Sequence, residues 1–203
     1  MSLQHSIESH SVEQPVKILA FAGSLRAASH NKRLVKIAAA AAERAGGQVT
    51  LIDLKEYPLP VFDEDLESRG TPAEAQQLRQ LFIDHDGLLI SSPEYNSSIT
   101  AALKNAIDWV SRPGPGQPSL AGFHGKVAAL VSASPGALGG LRGLVHLRQI
   151  LGNIGVLVLP EQQAVSRAHE AFTAEEQLKD DRHQAQIESI AKKLVETLTK
   201  LKA

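Results

Sequence analysis

The sequence predicts an open, parallel α/β sheet covered by helices on both faces. Two observations predict it. Short, near-continuous apolar runs recur five times along the 203 residues, and amphipathic helical patterns separate them. Strands that are apolar throughout, without polar alternation, must be buried on both faces, and the crossovers joining parallel strands supply the helices that bury them. The length fits one domain with its own core, taken as residues 15–203.

In chain order, Val16 to Ala22 is the first strand, closed by Gly23. Asn31 to Arg44 carries Leu34, Val35, Ile37, Ala38 and Ala41 at helical spacing, and Gly46-Gly47 ends that helix. Val49 to Leu54 is the second strand and leads into a connection containing Tyr57, Pro58 and Pro60, which completes a βαβ unit. Thr71-Pro72-Ala73-Glu74 combines a cap hydroxyl, a proline at the first helical position and a glutamate three residues after the cap, so a helix should start there. Gly87 to Ser91 is the third strand. Thr100 opens a helix with Leu103, Ile107 and Val110 on one face, and prolines and glycines between Arg112 and Pro118 break it. Lys126 to Val131, Gly140 to Leu151 and Gly155 to Leu159 read as strand, helix, strand. The final helix should begin at Thr173, with Glu176 completing a capping box, and present Ile187, Ile190, Leu194, Leu198 and Leu201 as its apolar stripe. Phe82 and Trp109, at helical spacing, read as core.

Composition removes several function classes. Lys and Arg number 21 against 22 Asp and Glu, a net charge of −1, so neither nucleic acid nor an anionic membrane is the expected partner. The chain has no cysteine, which excludes disulfides, thiolate nucleophiles, iron–sulfur clusters and cysteine-bound zinc, and fits a reducing cytoplasm. Its eight histidines are scattered and form no helical ligand pair, so no metal site is expected. No apolar run approaches the roughly 18 residues of a membrane-spanning helix. Residues 1–14 are polar, contain Glu8 and Glu13 but no Lys or Arg, and lack the pattern of a secretory signal; they are expected to form a mobile tail.

In such sheets ligands bind outside the carboxyl ends of the strands, where the winding reverses. The loops after strands one, three and four should meet there. The first, Gly23-Ser24-Leu25-Arg26-Ala27-Ala28-Ser29-His30-Asn31, is neither the GxGxxG fingerprint nor a Walker A loop, which disfavours dinucleotide and triphosphate sites of those types. It offers hydroxyls from Ser24 and Ser29, the amide of Asn31, the guanidinium of Arg26 and the N–H groups of a helix N-terminus. Those are the parts of a phosphate-monoester cradle. The alternative is that Ser29 or Asn31 caps the helix and Arg26 is solvated. The second loop, Ser91 to Ser98, is stiffened by Pro93 and could present main-chain groups to the edge of a flat ring. Read alone it is a turn, with Glu94 a charged tip and Tyr95 a packing residue. In the third, Ser132 to Arg142, the glycines at 136, 139 and 140 would let backbone approach a ligand, or simply serve a flexible turn.

Three stretches, GSLRAASHN at Gly23 to Asn31, PEYNSSITAALKNAIDWVSR at Pro93 to Arg112 and SASPGALGGLR at Ser132 to Arg142, resemble the flavodoxin-like NAD(P)H-dependent FMN reductases, a family that includes quinone, chromate and azo-dye reductases. The order of elements is similar from about Val16 to Leu201. The resemblance implies a flavodoxin-like five-stranded parallel sheet in the order 2-1-3-4-5, a bound FMN, and NADPH or NADH as electron donor. By the same resemblance, Ser24, Arg26, Ser29, His30 and Asn31 hold the FMN phosphate, His30 chiefly through its backbone N–H. Pro93, Glu94, Tyr95, Asn96 and Ser97 frame the isoalloxazine and ribityl, while Ser132, Ser134, Gly139 and Gly140 form the loop on the other side of the flavin. It further implies a ping-pong cycle that passes electrons to quinones or other small acceptors, with no indispensable acid, base or nucleophile in the protein. A homodimer or homotetramer is implied too, with the helix after Thr100 and the segment Arg142 to Gln149 as expected interfaces. The competing reading from another class is a flavodoxin-type electron carrier, against which the net charge of −1 argues, since such carriers are usually strongly acidic. A phosphate-sensing binding module is a third reading.

Overall fold

The computed structural model describes residues 14–202. The expected mobile tail therefore lies, except for Gln14, outside the described residues. Five strands, β1 (Lys17–Ala22), β2 (Gln48–Asp53), β3 (Gly87–Ser91), β4 (Val127–Ala133) and β5 (Leu157–Val165), form one sheet in the order β2-β1-β3-β4-β5, and every pairing is parallel. The flavodoxin-like topology expected from the sequence is the one observed.

Each inner strand divides its side chains between two cores. Ile18, Ala20 and Ala22 of β1 and Val127, Ala129, Val131 and Ala133 of β4 face α1 (His30–Arg44) and α6 (Asp181–Lys202). Leu19 and Phe21, with Leu88, Ile90, Ala128 and Leu130, face α3 (Ala73–Asp84), α4 (Ala101–Val110) and α5 (Leu141–Asn153). Alanines recur on the first face in both layers, at Ala20, Ala22, Ala129 and Ala133 of the sheet and Ala38, Ala41 and Ala42 of α1. Small side chains let helix and sheet approach closely at native density. Phe82 and Trp109 are buried as expected, and the indole N–H of Trp109 donates to Pro60 O at 2.8 Å.

The structure departs from the sequence reading at four boundaries. The strand β5 runs six residues beyond Leu159, because as an edge strand it is not buried on both faces and its polar residues Glu161, Gln162 and Gln163 can still pair; Pro160 falls near the register shift that β4 and β5 share. The last helix begins at Asp181 rather than Thr173. Glu176 sits at φ 61°, which an α-helix cannot include, and its carboxylate turns to Arg33 and Lys36 at 3.6 and 3.5 Å. Asp180 supplies the cap instead, accepting from the N–H groups of Arg182 and His183 at 2.9 and 3.1 Å. The stripe of that helix ends at Leu198, since Leu201 is exposed. Before α3, Pro72 takes the cap position and makes no side-chain cap bond, so the box read at Thr71 and Glu74 does not form. A single turn of 3₁₀ helix at Leu54–Glu56 and a short helix, α2 (Glu64–Ser68), fill the connection after β2. Thr100 caps α4 as the sequence predicts, accepting from Leu103 N–H at 3.1 Å, and its hydroxyl donates to Gly23 O at 2.6 Å. That bond ties the start of α4 to the loop after β1. No described helix is long and apolar enough to cross a membrane.

Candidate functional site

The three loops converge at the carboxyl edge of the sheet around a cleft of about 90 Å³. Ser24, Arg26, Ser29, His30 and Asn31 line it from the first loop, Pro93, Glu94 and Tyr95 from the second, and Ala133, Ser134 and Pro135 from the third. Ala133 and Pro135 carry no chemical signal in the sequence and were missed for that reason. Asn96, Ser97, Ser132, Gly139 and Gly140 do not line it.

The cleft is built on the N-terminus of α1. Ser29 is the N-cap residue in extended conformation and makes no side-chain cap bond, while its carbonyl accepts from Lys32 and Arg33 N–H at 3.1 and 3.3 Å. The N–H groups of His30 and Asn31, in the first turn, have no acceptor within the helix. Ser24, also buried, accepts from Arg26 N–H at 3.3 Å and so turns the loop toward the helix. The Arg26 guanidinium is exposed and, among the described residues, bonds only to the carbonyl of Ala28 and has no carboxylate partner.

Two expected ligands serve the scaffold through their side chains. Asn31 is buried, and its amide donates to Ala133 O at 2.7 Å while its Oδ1 accepts from Ala133 N–H at 2.9 Å and from the Ser91 hydroxyl at 2.8 Å. It clamps α1 to the ends of β3 and β4 and leaves only its backbone N–H for a ligand. Ser132 is wholly buried and donates to Ser92 O at 2.6 Å, joining β4 to the second loop.

Glu94 is not a solvated tip. Its side chain is 8% exposed and reaches across to α5, where Oε2 accepts from the N–H groups of Arg142 and Gly143 at 3.0 and 3.2 Å and Oε1 pairs with the Arg142 guanidinium at 2.6 Å. Gly140, the N-cap residue of α5, has no side chain to offer, so Glu94 caps that helix from 48 residues away. Burial pushes the Glu94 carboxyl up, but the bonds from Arg142 and Gly143 outweigh it and hold the group below its ordinary value. A carboxylate so engaged is a clasp between loops. After it, Asn96 and Ser97 take φ of 50° and 66° in a tight turn closed by two bonds between Tyr95 and Ser98, at 2.9 and 3.0 Å. That turn leaves Tyr95 exposed at the mouth of the cleft. Packing explains two of the three glycines of the third loop: a Cβ at Gly139 would lie 2.7 Å from the Val165 backbone and one at Gly140 would lie 1.9 Å from Ser132 Oγ, both at positive φ, whereas a Cβ at Gly136 would meet only Ser134 Oγ, at 3.8 Å.

A larger cavity of about 620 Å³ opens on the other side of the first loop, lined by Leu25, Leu54, Tyr57, Pro58, Leu59 and Ala102 among others. It is mainly apolar and lacks the free N–H groups of α1, so the smaller cleft is the candidate anion site. The charges around that cleft agree. The His30 imidazole is held below its ordinary pKa by burial first, then by Arg26, Arg33 and His169. A phosphomonoester fits this donor set: two free N–H groups, an uncapped serine hydroxyl and the Arg26 guanidinium, which pairs with no carboxylate among the described residues. The cleft is far smaller than the roughly 300–1,000 Å³ of a typical pocket for a whole ligand, so a ring attached to the phosphate would lie at its mouth. Among the described residues no group of three or more His, Asp or Glu could hold a metal ion.

Fold and cleft together define a doubly wound protein with a phosphate-sized cleft at the β1–α1 turn. Residues 16–170 match the family described as NADPH-dependent FMN reductase, and the chain belongs to that family of enzymes. It is 39% identical over 168 residues to an NAD(P)H-dependent FMN reductase of Pseudomonas aeruginosa, covering 82% of this chain and 86% of that protein. To a quinone reductase of Escherichia coli K12 it is 35% identical over 153 residues, covering 73% and 76%. Among solved structures, FerB, a flavoenzyme NAD(P)H:(acceptor) oxidoreductase of Paracoccus denitrificans, superposes with a TM-score of 0.77 at 28% identity, over 91% of this chain and 98% of that one.

Proposed function

We propose that residues 15–203 act as one FMN-binding domain that takes electrons from NADPH or NADH and delivers them to quinones or other small acceptors, azo compounds and chromate among them. The single observation that carries this reading is the phosphate-sized cleft at the start of α1, with unpartnered N–H groups, an uncapped Ser29 and the Arg26 guanidinium, which has no carboxylate partner among the described residues. FMN, when bound, supplies the hydride chemistry itself. The protein's part is to bind and orient. The backbone of His30 and Asn31, with Ser24, Ser29 and Arg26, holds the phosphate. Pro93, Glu94 and Tyr95, made rigid by the bond from Glu94 to α5 and by the tight turn at Asn96-Ser97, set one edge of the ring, and Ser134 with Pro135 bounds the other. In this reading the protein supplies no indispensable acid, base or nucleophile, and the Glu94 carboxylate, engaged with Arg142 and Gly143, is held by those bonds. Donor and acceptor would therefore use one open face in turn, a ping-pong cycle.

Arg26→Ala should weaken FMN binding by the worth of a charge-assisted contact, about 1.5–3 kcal/mol or roughly ten- to hundredfold in Kd, while riboflavin, which has no phosphate, should bind the variant and the parent alike. Equal FMN affinity for both proteins, measured by fluorescence titration, would remove Arg26 from the site. The exposed apolar side chains of Tyr95, Leu138, Leu141 and Val145 run from the cleft mouth onto α5 and support a homodimer or homotetramer formed partly by 142–149, and a sequence without cysteine fits a cytoplasmic location. A monodisperse monomer at micromolar concentration would contradict that assembly.

A further inference from the structure

The first residue of α1 carries a side chain whose surroundings its backbone role does not explain. The His30 ring lies parallel to the ring of Phe172, 7° apart with centroids 6.1 Å from each other, and the Arg33 guanidinium covers the same phenyl ring at 4.4 Å. Phe172 belongs to the segment between β5 and α6, so that segment fixes the imidazole beside the cleft. Held in this way, His30 Nδ1 is buried and finds no hydrogen-bond partner among the described residues. A buried nitrogen without a partner is costly, and its persistence calls for a reason.

The charged groups that bear on the ring are all basic. Arg26 faces it from the loop after β1, Arg33 from α1, and His169 from the segment after β5. Two of these groups are themselves paired, His169 with Glu170 at 3.1 Å and Arg33 with Glu176 at 3.6 Å, so Arg26 is the basic group at the ring with no carboxylate among the described residues. Burial first, and then these basic neighbours, hold the imidazole below its ordinary pKa. A phosphomonoester dianion at the start of α1 would reverse that field, because two negative charges in a partly buried site outweigh the repulsion from the neighbouring cations.

We propose that the His30 imidazole takes up a proton from solvent when a phosphomonoester dianion enters the cleft, so that proton uptake is part of cofactor binding. The balance is simple: neutral imidazole plus one proton gives imidazolium, and no bond to phosphorus is made or broken. This rests on the phosphate cradle proposed above. It adds that FMN binding is linked to pH through a residue whose backbone alone would give no such linkage. Affinity for FMN falls as pH rises through the pKa of the bound state, and affinity for riboflavin does not follow it.

Calorimetric titration of the apoprotein with FMN at about pH 7.5, in buffers of different ionisation enthalpy, counts the protons exchanged. Free FMN is already a dianion there, the second phosphate pKa being roughly 6, and any contribution from it is a release rather than an uptake. The expected result is uptake approaching one proton per FMN, none with riboflavin, and none with FMN bound to His30→Gln. No net uptake, or equal uptake by His30→Gln, would overturn the proposal. The wild-type protein gives a second readout that needs no variant: the ratio of FMN to riboflavin affinity should fall between about pH 7 and about pH 9, and a constant ratio would overturn it equally. Failure of FMN to bind at any pH is a distinct outcome, which would remove the cradle itself and the proton linkage with it.

Discussion

Replacing Asn31 by alanine is expected to destabilise the apoprotein by about 3 kcal/mol, one of the two largest effects anticipated for any single substitution at this site. The side chain is buried and makes three bonds, to Ala133 O, from Ala133 N–H and from the Ser91 hydroxyl. Truncation would strand the polar groups of Ala133 and Ser91 where water does not readily reach, at a cost of roughly 1–3 kcal/mol per group before relaxation. In a protein of this size the loss should lower Tm by about 6–12 °C. Thermal or urea unfolding without any flavin checks it. A side chain serving only as a phosphate ligand would behave in the opposite way, leaving apoprotein stability intact and weakening FMN binding. An Asn31→Ala apoprotein as stable as the parent would show that the clamp between α1, β3 and β4 has been misjudged.

Glu94→Gln should cost about 2 kcal/mol at neutral pH and almost nothing in acid. The Glu94 carboxyl titrates below its unfolded value, because its bonds with Arg142 and Gly143 outweigh the opposing effect of burial. A group with a depressed folded pKa contributes stability that is fully present above its unfolded pKa, about 4.3, and is lost as pH falls through the folded value. Stability of the parent should therefore converge on that of the variant once pH has fallen through the folded pKa, where both carry a neutral group at position 94. Urea midpoints at neutral and acid pH give the comparison, and a gap that stays constant with pH would deny the ionised clasp. Since Glu94 joins the second loop to α5, the variant should also bind FMN more weakly at neutral pH.

The sheet and its carboxyl edge were legible because their signals are local. Doubly buried strands must be apolar throughout, Thr100 stands at the right distance before Leu103 to cap α4, and parallel topology then brings the three loops together without further information. What stayed hidden depends on partners distant in sequence. Asn31 meets Ala133 across 102 positions and Glu94 meets Arg142 across 48, so in the sequence one looks like a ligand or a cap and the other like a charged loop tip. A signal for Glu94 did exist: α5 begins after two glycines with no capping side chain of its own, so a cap had to come from elsewhere. The glycines at 139 and 140 suggested close approach to a ligand, whereas the neighbours that demand them are Val165 and Ser132. At the start of the last helix the letters Thr173 to Glu176 spell a capping box, but the pull of Arg33 and Lys36 on Glu176 is a tertiary effect that no local pattern contains.

The central claim is that this chain holds FMN and feeds it from a nicotinamide nucleotide. It is tested most directly without an acceptor present: the protein is loaded with FMN, freed of unbound flavin, made anaerobic and mixed with NADPH or NADH in separate cuvettes while the flavin absorbance is followed. Bleaching by at least one nucleotide, with colour restored on adding a quinone, is the predicted result and would display the two halves of the cycle in turn. A yellow protein that neither nucleotide bleaches would contradict donor oxidation and favour an electron carrier, and a protein that retains no flavin would contradict the cleft itself.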